Sequence, residues 1–153
     1  MIIGFDAKRA FFNRSGLGNY SRDVIRSLSE SFPENDYYLY SPKPKKSIPF
    51  CEETNCFIKG PETLLGRIVH PWWRSARLGN QIRNDGVNIY HGLSNELPGN
   101  LIRNQVKSVV TIHDLIFLRY PEFYKPHDRF SYQKKVRNAA ENSDAVIAVS
   151  QQT

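Results

Sequence analysis

A histidine and an aspartate, His113 and Asp114, directly follow an apolar, β-branched run at residues 109–112. Such a run is typical of a strand that is buried on both faces, as the strands of parallel sheets are. Ligands of open α/β sheets bind just beyond the carboxyl ends of these strands. An imidazole at that place can act as a base, or it can bind a sugar hydroxyl or a phosphate. The pair is therefore a candidate site, although a histidine that only bonds backbone carbonyls would give the same pattern.

A glycine-containing segment, Ser-Gly-Leu-Gly-Asn-Tyr, lies between the first predicted strand and the first predicted helix. Glycines let backbone N–H groups approach a phosphate, and the amino end of a helix favours negative charge. We therefore expect Gly16, Leu17 and Gly18 to form a phosphate or sugar loop. A dinucleotide-binding fingerprint would need a third glycine where Ser21 stands and an acid near Tyr40. The alternative is a glycine turn that only packs the helix on the sheet.

A second histidine, His91, follows another strand-like run at residues 87–90. It is a weaker candidate, because a turn histidine explains the pattern equally well. The four histidines lie about 14 to 22 residues apart, which is not the close spacing of a metal site. The sequence also has no Asp-x-Asp pair to hold Mg²⁺ against a diphosphate and no Gly-x-Ser-x-Gly elbow of a serine hydrolase. We predict a site without metal or cofactor.

The composition, 40% hydrophobic and 24% charged, is ordinary for a globular chain. At 153 residues the chain can form one domain with a sizeable core. No run approaches the ~18 apolar residues of a transmembrane helix, and residues 2–6 resemble a strand rather than a signal peptide. Cys51 and Cys56 are expected to be free thiols. These features predict a cytoplasmic protein.

The net charge of +6 is consistent with an anionic partner such as a nucleic acid, a phosphosugar or a membrane face, and equally with a solvated surface. Trp72 and Trp73 stand next to Arg74, a combination that can mark a membrane interface or a sugar-stacking site. At helical spacing, however, Trp73, Leu78 and Ile82 also fit a core stripe.

Predicted strands and helices alternate along the whole chain, and no internal repeat is present. This order predicts an α/β fold, a Rossmann-like, doubly wound and mostly parallel sheet with right-handed crossovers and helices on both faces. Because the last strand ends near residue 150, we also expect the chain to be a fragment of a longer fold. The predicted strands are residues 2–6, 37–40, 55–59, 87–92, 107–113 and 144–150; the helices are 18–31, 72–84 and 127–142, and residues 7–16 are a polar loop.

Five segments in this order resemble the N-terminal domain of group 1, or family 4, glycosyltransferases, with the mannosyltransferase-like branch closest. The segments are Gly-Phe-Asp-Ala at 4–7, Ser-Gly-Leu-Gly-Asn-Tyr-Ser at 15–21, Ile-Tyr-His-Gly at 89–92, Val-Thr-Ile-His-Asp-Leu at 110–115 and Ser-Asp-Ala-Val-Ile-Ala-Val-Ser at 143–150. Each is weak alone, but five in the right order are specific. The resemblance implies the N-terminal half of a GT-B fold over residues 1–153, with the second, donor-binding domain absent.

The resemblance further implies an enzyme that transfers a sugar with retention and without a metal. The donor would be a nucleotide-sugar, a GDP- or UDP-sugar, and the acceptor a glycan or a lipid-linked molecule. By analogy, the loop of Gly16, Leu17 and Gly18 lies near the donor diphosphate, and His113 with Asp114 lies at the catalytic position. The residues implied in acceptor or sugar binding are His91, Asn19 and Ser150.

Two rival classes fit the residues as well: a stand-alone module that binds a sugar or phosphate without turnover, and a fragment of a nucleotide-binding oxidoreductase. The missing third glycine and acid disfavour the second. Lipid-linked acceptors, implied by the resemblance, suggest peripheral contact with an anionic inner membrane face rather than with nucleic acid. The residues expected to make that contact are Lys43, Lys45, Lys46, Arg67 and Arg74.

Overall fold

The computed structural model of this chain describes residues 1–44, 54–63, 66, 68–101, 104, 106–151 and 153. These residues contain one six-stranded sheet in which every pairing is parallel. The strands are β1 (Ile2–Asp6), β2 (Asp36–Tyr40), β3 (Cys56–Lys59), β4 (Ile89–Gly92), β5 (Lys107–Ile112) and β6 (Ala145–Ala148), in the spatial order β3-β2-β1-β4-β5-β6. This is the order of a Rossmann-like sheet, as predicted.

Helices connect the strands. They are α1 (Lys8–Phe12), α2 (Gly16–Ser31), α3, α4 (Ile116–Arg119) and α5 (Pro126–Asn142), and a short 3₁₀ helix spans Pro121–Phe123. We use α3 for three segments that follow one another without a break: His70–Trp72, the π-helical turn Trp73–Arg77 and Leu78–Asn84.

The register brings the carboxyl ends of the strands to one edge of the sheet. Asp6 of β1 lies opposite Tyr40 of β2, and Phe5 lies opposite His91 of β4. On the other side Ile112 of β5 lies opposite Ala148 of β6. The residues that follow these strands therefore share the edge where ligands of such sheets bind.

Alternate strand residues point to opposite faces, and each face carries helices. Phe5 and Leu39 pack with Ile25 of α2 in one core cluster. Tyr40 and Tyr90 pack on the other face in a cluster with three residues of α3, which are Trp73, Leu78 and Ile82. A third cluster joins β5 to α5 through Val110, Ile112, Val136 and Ala139. The doubly wound architecture is thus confirmed.

The predicted polar loop at residues 7–16 is wrong in part, because α1 occupies Lys8–Phe12 within it. Ala10 and Phe11 of this single turn are buried against the cluster that contains Phe5. Five residues are too few to show helical periodicity in the sequence. Helix α2 also begins two residues earlier than predicted, at Gly16.

The two glycines at the start of α2 have opposite surroundings, which predicts opposite effects on stability. A Cβ at Gly18 would overlap the backbone carbonyl of Asn13, whereas a Cβ at Gly16 would meet nothing within 4 Å. We expect Gly18→Ala to lower the free energy of unfolding by about 2 kcal/mol through overpacking. Gly16→Ala should be neutral or stabilising by up to ~1 kcal/mol, because alanine favours the helix. Urea denaturation of both variants tests this, and equal midpoints would contradict it.

Candidate functional site

His113 is the first residue beyond β5, and two loop residues fix its position. Its Nε2 lies 2.8 Å from the carbonyl oxygen of Leu93, and its backbone N–H donates to Oδ1 of Asn95 at 2.8 Å. A carbonyl oxygen can only accept, so Nε2 donates in this bond, and in the Nε2–H tautomer Nδ1 keeps a lone pair. The backbone-bonding alternative thus accounts for one ring nitrogen, and the other can still accept a hydrogen bond from a ligand.

Asn95 links the loop after β4 to the end of β5. Its φ of 61° is left-handed, a conformation in which asparagine is enriched. Its backbone N–H donates to the carbonyl of Thr111 at 2.9 Å while its side chain holds the N–H of His113. Sequence reasoning missed this residue, since nothing local distinguishes it from other loop asparagines.

A chain of hydrogen bonds connects α2 to β4 and β5. The hydroxyl of Tyr20 lies 3.1 Å from Oγ1 of Thr111, which lies 2.8 Å from Nε2 of His91. The ring of Tyr20 also packs edge-on against that of His113, with 4.8 Å between the centroids. His91 is only 7% exposed, and burial lowers its pKa to about 4. The structure therefore places His91 as a neutral, internal group that bonds Thr111, and its predicted contact with acceptor or sugar stays a prediction.

The amino end of α2 offers open backbone donors. Ser15 makes no side-chain capping bond, because its hydroxyl bonds Oδ1 of Asn13 at 2.5 Å. The N–H of Gly18 donates to the carbonyl of Ser15 at 2.9 Å, whereas the N–H groups of Gly16 and Leu17 precede the helical bonding pattern. The packing alternative is thus met at Gly18, whereas a phosphate or sugar loop at Gly16 and Leu17 stays a prediction. Gly18 packs the helix, and Gly16 leaves space beside donors that favour an anion.

Asp114 and Asn19, two further predicted site residues, bond neighbouring parts of the chain. Oδ1 of Asp114 accepts from the N–H of Ile116 at 3.2 Å, at the start of α4. Oδ1 of Asn19 accepts from the guanidinium of Arg22 at 2.5 Å. Arg22 also donates to the carbonyls of Ala10 and Asn13, so this corner of α1 and α2 is held by one cation.

Ser150, the last predicted site residue, is exposed beyond β6. Its hydroxyl lies 3.0 Å from that of Thr153, and the Thr153 hydroxyl donates to the carbonyl of His113 at 3.2 Å. The structure thus brings Ser150 to the side of the sheet edge that carries His113.

A partly buried ionic cluster, which was not predicted, lies at the end of β1, with Asp6 buried and Lys135 at its exposed side. The guanidinium of Arg74 bonds the carboxylate of Asp6 and lies 2.9 Å from Oε1 of Glu96, whose Oε2 lies 3.2 Å from Nζ of Lys135. Arg74, expected to contact a membrane, is therefore engaged internally with two carboxylates. Nearby, the hydroxyl of Tyr90 is buried without a hydrogen-bond partner among the described residues.

Burial and charge act against each other in this cluster. Burial raises the pKa of the Asp6 carboxyl, although Arg74 opposes it. Burial acts in the same direction on Glu96, but Arg74 and Lys135 together hold the pKa of that carboxyl below its ordinary value. Burial also raises the pKa of the Tyr90 hydroxyl, so this group stays protonated. The cluster is therefore an ion network whose charges depend on one another.

In the described part of the chain, no group of three or more His, Cys, Asp and Glu side chains could hold a metal ion. Among the same residues, no helix has both the length and the apolar character needed to cross a membrane. The predicted thiol of Cys51 and the predicted membrane contacts Lys45, Lys46 and Arg67 lie outside the described residues.

The chain matches the model of glycosyltransferase family 4 over residues 14–153. That span includes four of the five segments that carry the resemblance. Among them are the glycine segment and the segments that contain His91 and His113. No curated protein matches the chain.

Removal of Arg74 should leave the carboxylate of Asp6 without its cation and Glu96 with Lys135 alone. We expect Arg74→Met to lower the free energy of unfolding by about 3 kcal/mol, because breaking a buried ion pair strands its partners. Arg77→Met is a matched control in the same π-helical turn, since Arg77 is exposed and its guanidinium only stacks 5.2 Å from the ring of Trp72. That change should cost less than ~1 kcal/mol. Guanidinium denaturation measures both, and equal losses would contradict the ranking.

The buried neutral state of His91 predicts an acid-sensitive contribution to stability. Above pH 6.5 the imidazole is neutral in both the folded and the unfolded chain. Between pH 6.5 and about pH 4 only the unfolded chain takes up the proton. The free energy of unfolding should therefore fall through that window, by on the order of 3 kcal/mol from this residue. His91→Gln keeps a hydrogen-bonding side chain without the titration, and its stability should fall less between the same pH values. Parallel pH curves for the two proteins would exclude this role.

Proposed function

Because this chain belongs to glycosyltransferase family 4, we propose that it forms the acceptor-side half of a GT-B enzyme. In this proposal, residues 1–153 are the N-terminal domain, and a second domain binds the base and ribose of a GDP- or UDP-sugar. The sugar passes to a glycan or a lipid-linked acceptor with retention and without a metal. The mannosyltransferase-like motifs make GDP-mannose the first donor to test.

The observation that carries this proposal is the contact between Tyr20 and His113, which joins the start of α2 to the end of β5. It supports a site where the open N–H groups of Gly16 and Leu17 meet a diphosphate while Nδ1 of His113 accepts from a sugar hydroxyl. In the transfer, the anomeric carbon forms a bond to the acceptor oxygen on the same face from which the diphosphate departs, and the acceptor hydroxyl gives its proton to an oxygen of the leaving diphosphate. Backbone donors and a helix dipole stabilise the growing charge on the leaving diphosphate.

The remaining residues take separate roles in this proposal. Asp114 accepts from the N–H of Ile116, the first residue of α4, and so fixes the direction of the chain after His113. Asn19 and Ser150 are exposed at the same edge, where their side chains can contact sugar or acceptor hydroxyls. His91 acts through Thr111 and Tyr20, so we treat it as a positioning residue rather than a direct contact.

We place the protein in the cytoplasm, with peripheral contact to the inner membrane face where the acceptor is lipid-linked. Of the five cations expected at that contact, the structure leaves Lys43 exposed and outside any ion pair that it describes, while Arg74 is engaged.

The competing function, a module that binds sugar or phosphate without turnover, shares the same loop and histidine. Only a measurement of transfer separates these two functions.

The test measures sugar transfer by the complete enzyme from a panel of GDP- and UDP-sugars, with product configuration read by NMR. We expect His113→Ala and Gly16→Val each to lower kcat by about 100-fold, because the first removes a group that positions the sugar and the second adds a side chain that blocks the approach of the diphosphate to the backbone N–H groups. His127→Ala is the matched control, since His127 lies exposed at the start of α5. The 153-residue chain alone should fold without transferring sugar.

Three results would overturn the proposal. Unchanged kcat in the His113→Ala enzyme would remove the assigned role of that residue. Inverted product configuration, or loss of activity on chelation of divalent metals, would contradict the reaction type. Tight binding of a nucleotide-sugar without any transfer by the complete protein would favour the binding module.

A further inference from the structure

A cleft of about 1220 Å³ opens at the same edge of the sheet, on the side of β1 and β2. Its walls come from α1, the segment after β2, the first turns of α3, the loop after β4, and α5. Arg74 and Glu96 of the ionic cluster line it, while none of the residues of the glycine segment or the His113 pair does. The cleft is thus a second feature of the edge, with chemistry of its own.

The charge of the cleft is strongly positive. Six of its lining side chains are Lys or Arg, and only Glu96 and Glu141 are acidic. Arg74 and Lys135 are paired with Glu96, and the acid of Glu141 lies 3.9 Å from Arg137. Among the described residues, the lining cations that make no ion pair are Lys8, Lys43 and Lys134. Lys8 acts on the carboxylate of Asp6 through space without pairing with it. Three ammonium groups outside the described ion pairs of one cleft favour a ligand that carries more than one negative charge.

The same cleft has apolar walls. The rings of Phe12 and Phe130 line it and are 49% and 69% exposed. Leu97 and Pro98 add apolar surface from the loop after β4. Exposed aromatic rings beside a cluster of cations indicate a ligand with an apolar part next to its charge.

We propose that this cleft binds an amphipathic phosphate, a phosphate ester with an apolar chain, as the acceptor of the enzyme. The proposal rests on the function proposed above and specifies the class of its acceptor. Lys8, Lys43 and Lys134 contact the phosphate oxygens, and the apolar chain lies against Phe12 and Phe130. The paired Arg74 and Lys135 hold the wall in place rather than neutralise the ligand.

The test uses the 153-residue chain and isothermal titration with three probes: octyl phosphate, 1-octanol and inorganic phosphate. We expect octyl phosphate to bind at least tenfold more tightly than either of the others, and its affinity to fall as salt rises. Equal affinities for octyl phosphate and octanol would overturn the anionic part of the proposal. Equal affinities for octyl phosphate and inorganic phosphate would overturn the apolar part.

Charge variants locate the binding site. The double variant Lys8→Gln/Lys134→Gln should weaken octyl phosphate binding by roughly threefold to tenfold, as expected for two partly exposed cations. Arg119→Gln/Lys125→Gln removes the same charge from exposed positions outside the cleft and should leave affinity unchanged. Equal losses in both doubles would show that only net charge matters and would refute this cleft as the site.

Two further experiments complete the test. The first distinguishes a membrane lipid from a soluble molecule as the source of the phosphate, and the second distinguishes failure of the cleft proposal from failure of the transferase function. Vesicles of a zwitterionic lipid with added dihexadecyl phosphate test a membrane lipid as the source, with vesicles of the zwitterionic lipid alone as the control, and octyl phosphate tests a soluble source. Transfer by the complete enzyme to neutral acceptors only would overturn the cleft proposal while the transferase function stands. Binding of octyl phosphate at the cleft without transfer to any acceptor would overturn the transferase function and the acceptor role together, although the cleft would still bind phosphate.

Discussion

The guanidinium of Arg74 is the group on which the candidate site depends most. It joins Asp6 at the end of β1 to Glu96 in the loop after β4, and Glu96 in turn holds Lys135 of α5. Burial of a charge such as that of Asp6 is costly, and the cost is offset only while its partner is in place. Through Glu96, this cation links a strand end, a loop and two helices, and the loop and both helices line the cleft.

A second, uncharged network serves the other half of the edge. Tyr20, Thr111 and His91 are linked by hydrogen bonds across three elements, and the neutral state of His91 suits its burial. The two networks divide the sheet edge between them. The ionic one shapes the side of β1 and β2, and the neutral one holds the start of α2 beside His113.

The sequence predicted the parts of the molecule that rest on local patterns. β-Branched runs located the strands, and the alternation of strands and helices predicted a parallel sheet with His91 and His113 at one edge. The ionic cluster could not be predicted, because Asp6 and Arg74 lie 68 residues apart and only the folded sheet brings them together. Asn95 and Thr111 were missed for the same reason, since their roles come from partners on other elements. Helix α1 was missed because a single turn has no period.

The position of β1 in the middle of the sheet has a consequence for how the protein is made. Of the six strands described, β1 comes first in the chain, and it pairs with β2 on one side and with β4 on the other, where Ile3 meets Ile89. During synthesis one edge of β1 therefore waits for a segment that is translated some 85 residues later. Contacts between such distant residues form slowly, and an open strand edge can pair with other chains. Of the strand pairings described, the one between β1 and β4 at the centre of this sheet thus joins the residues that lie furthest apart in the chain.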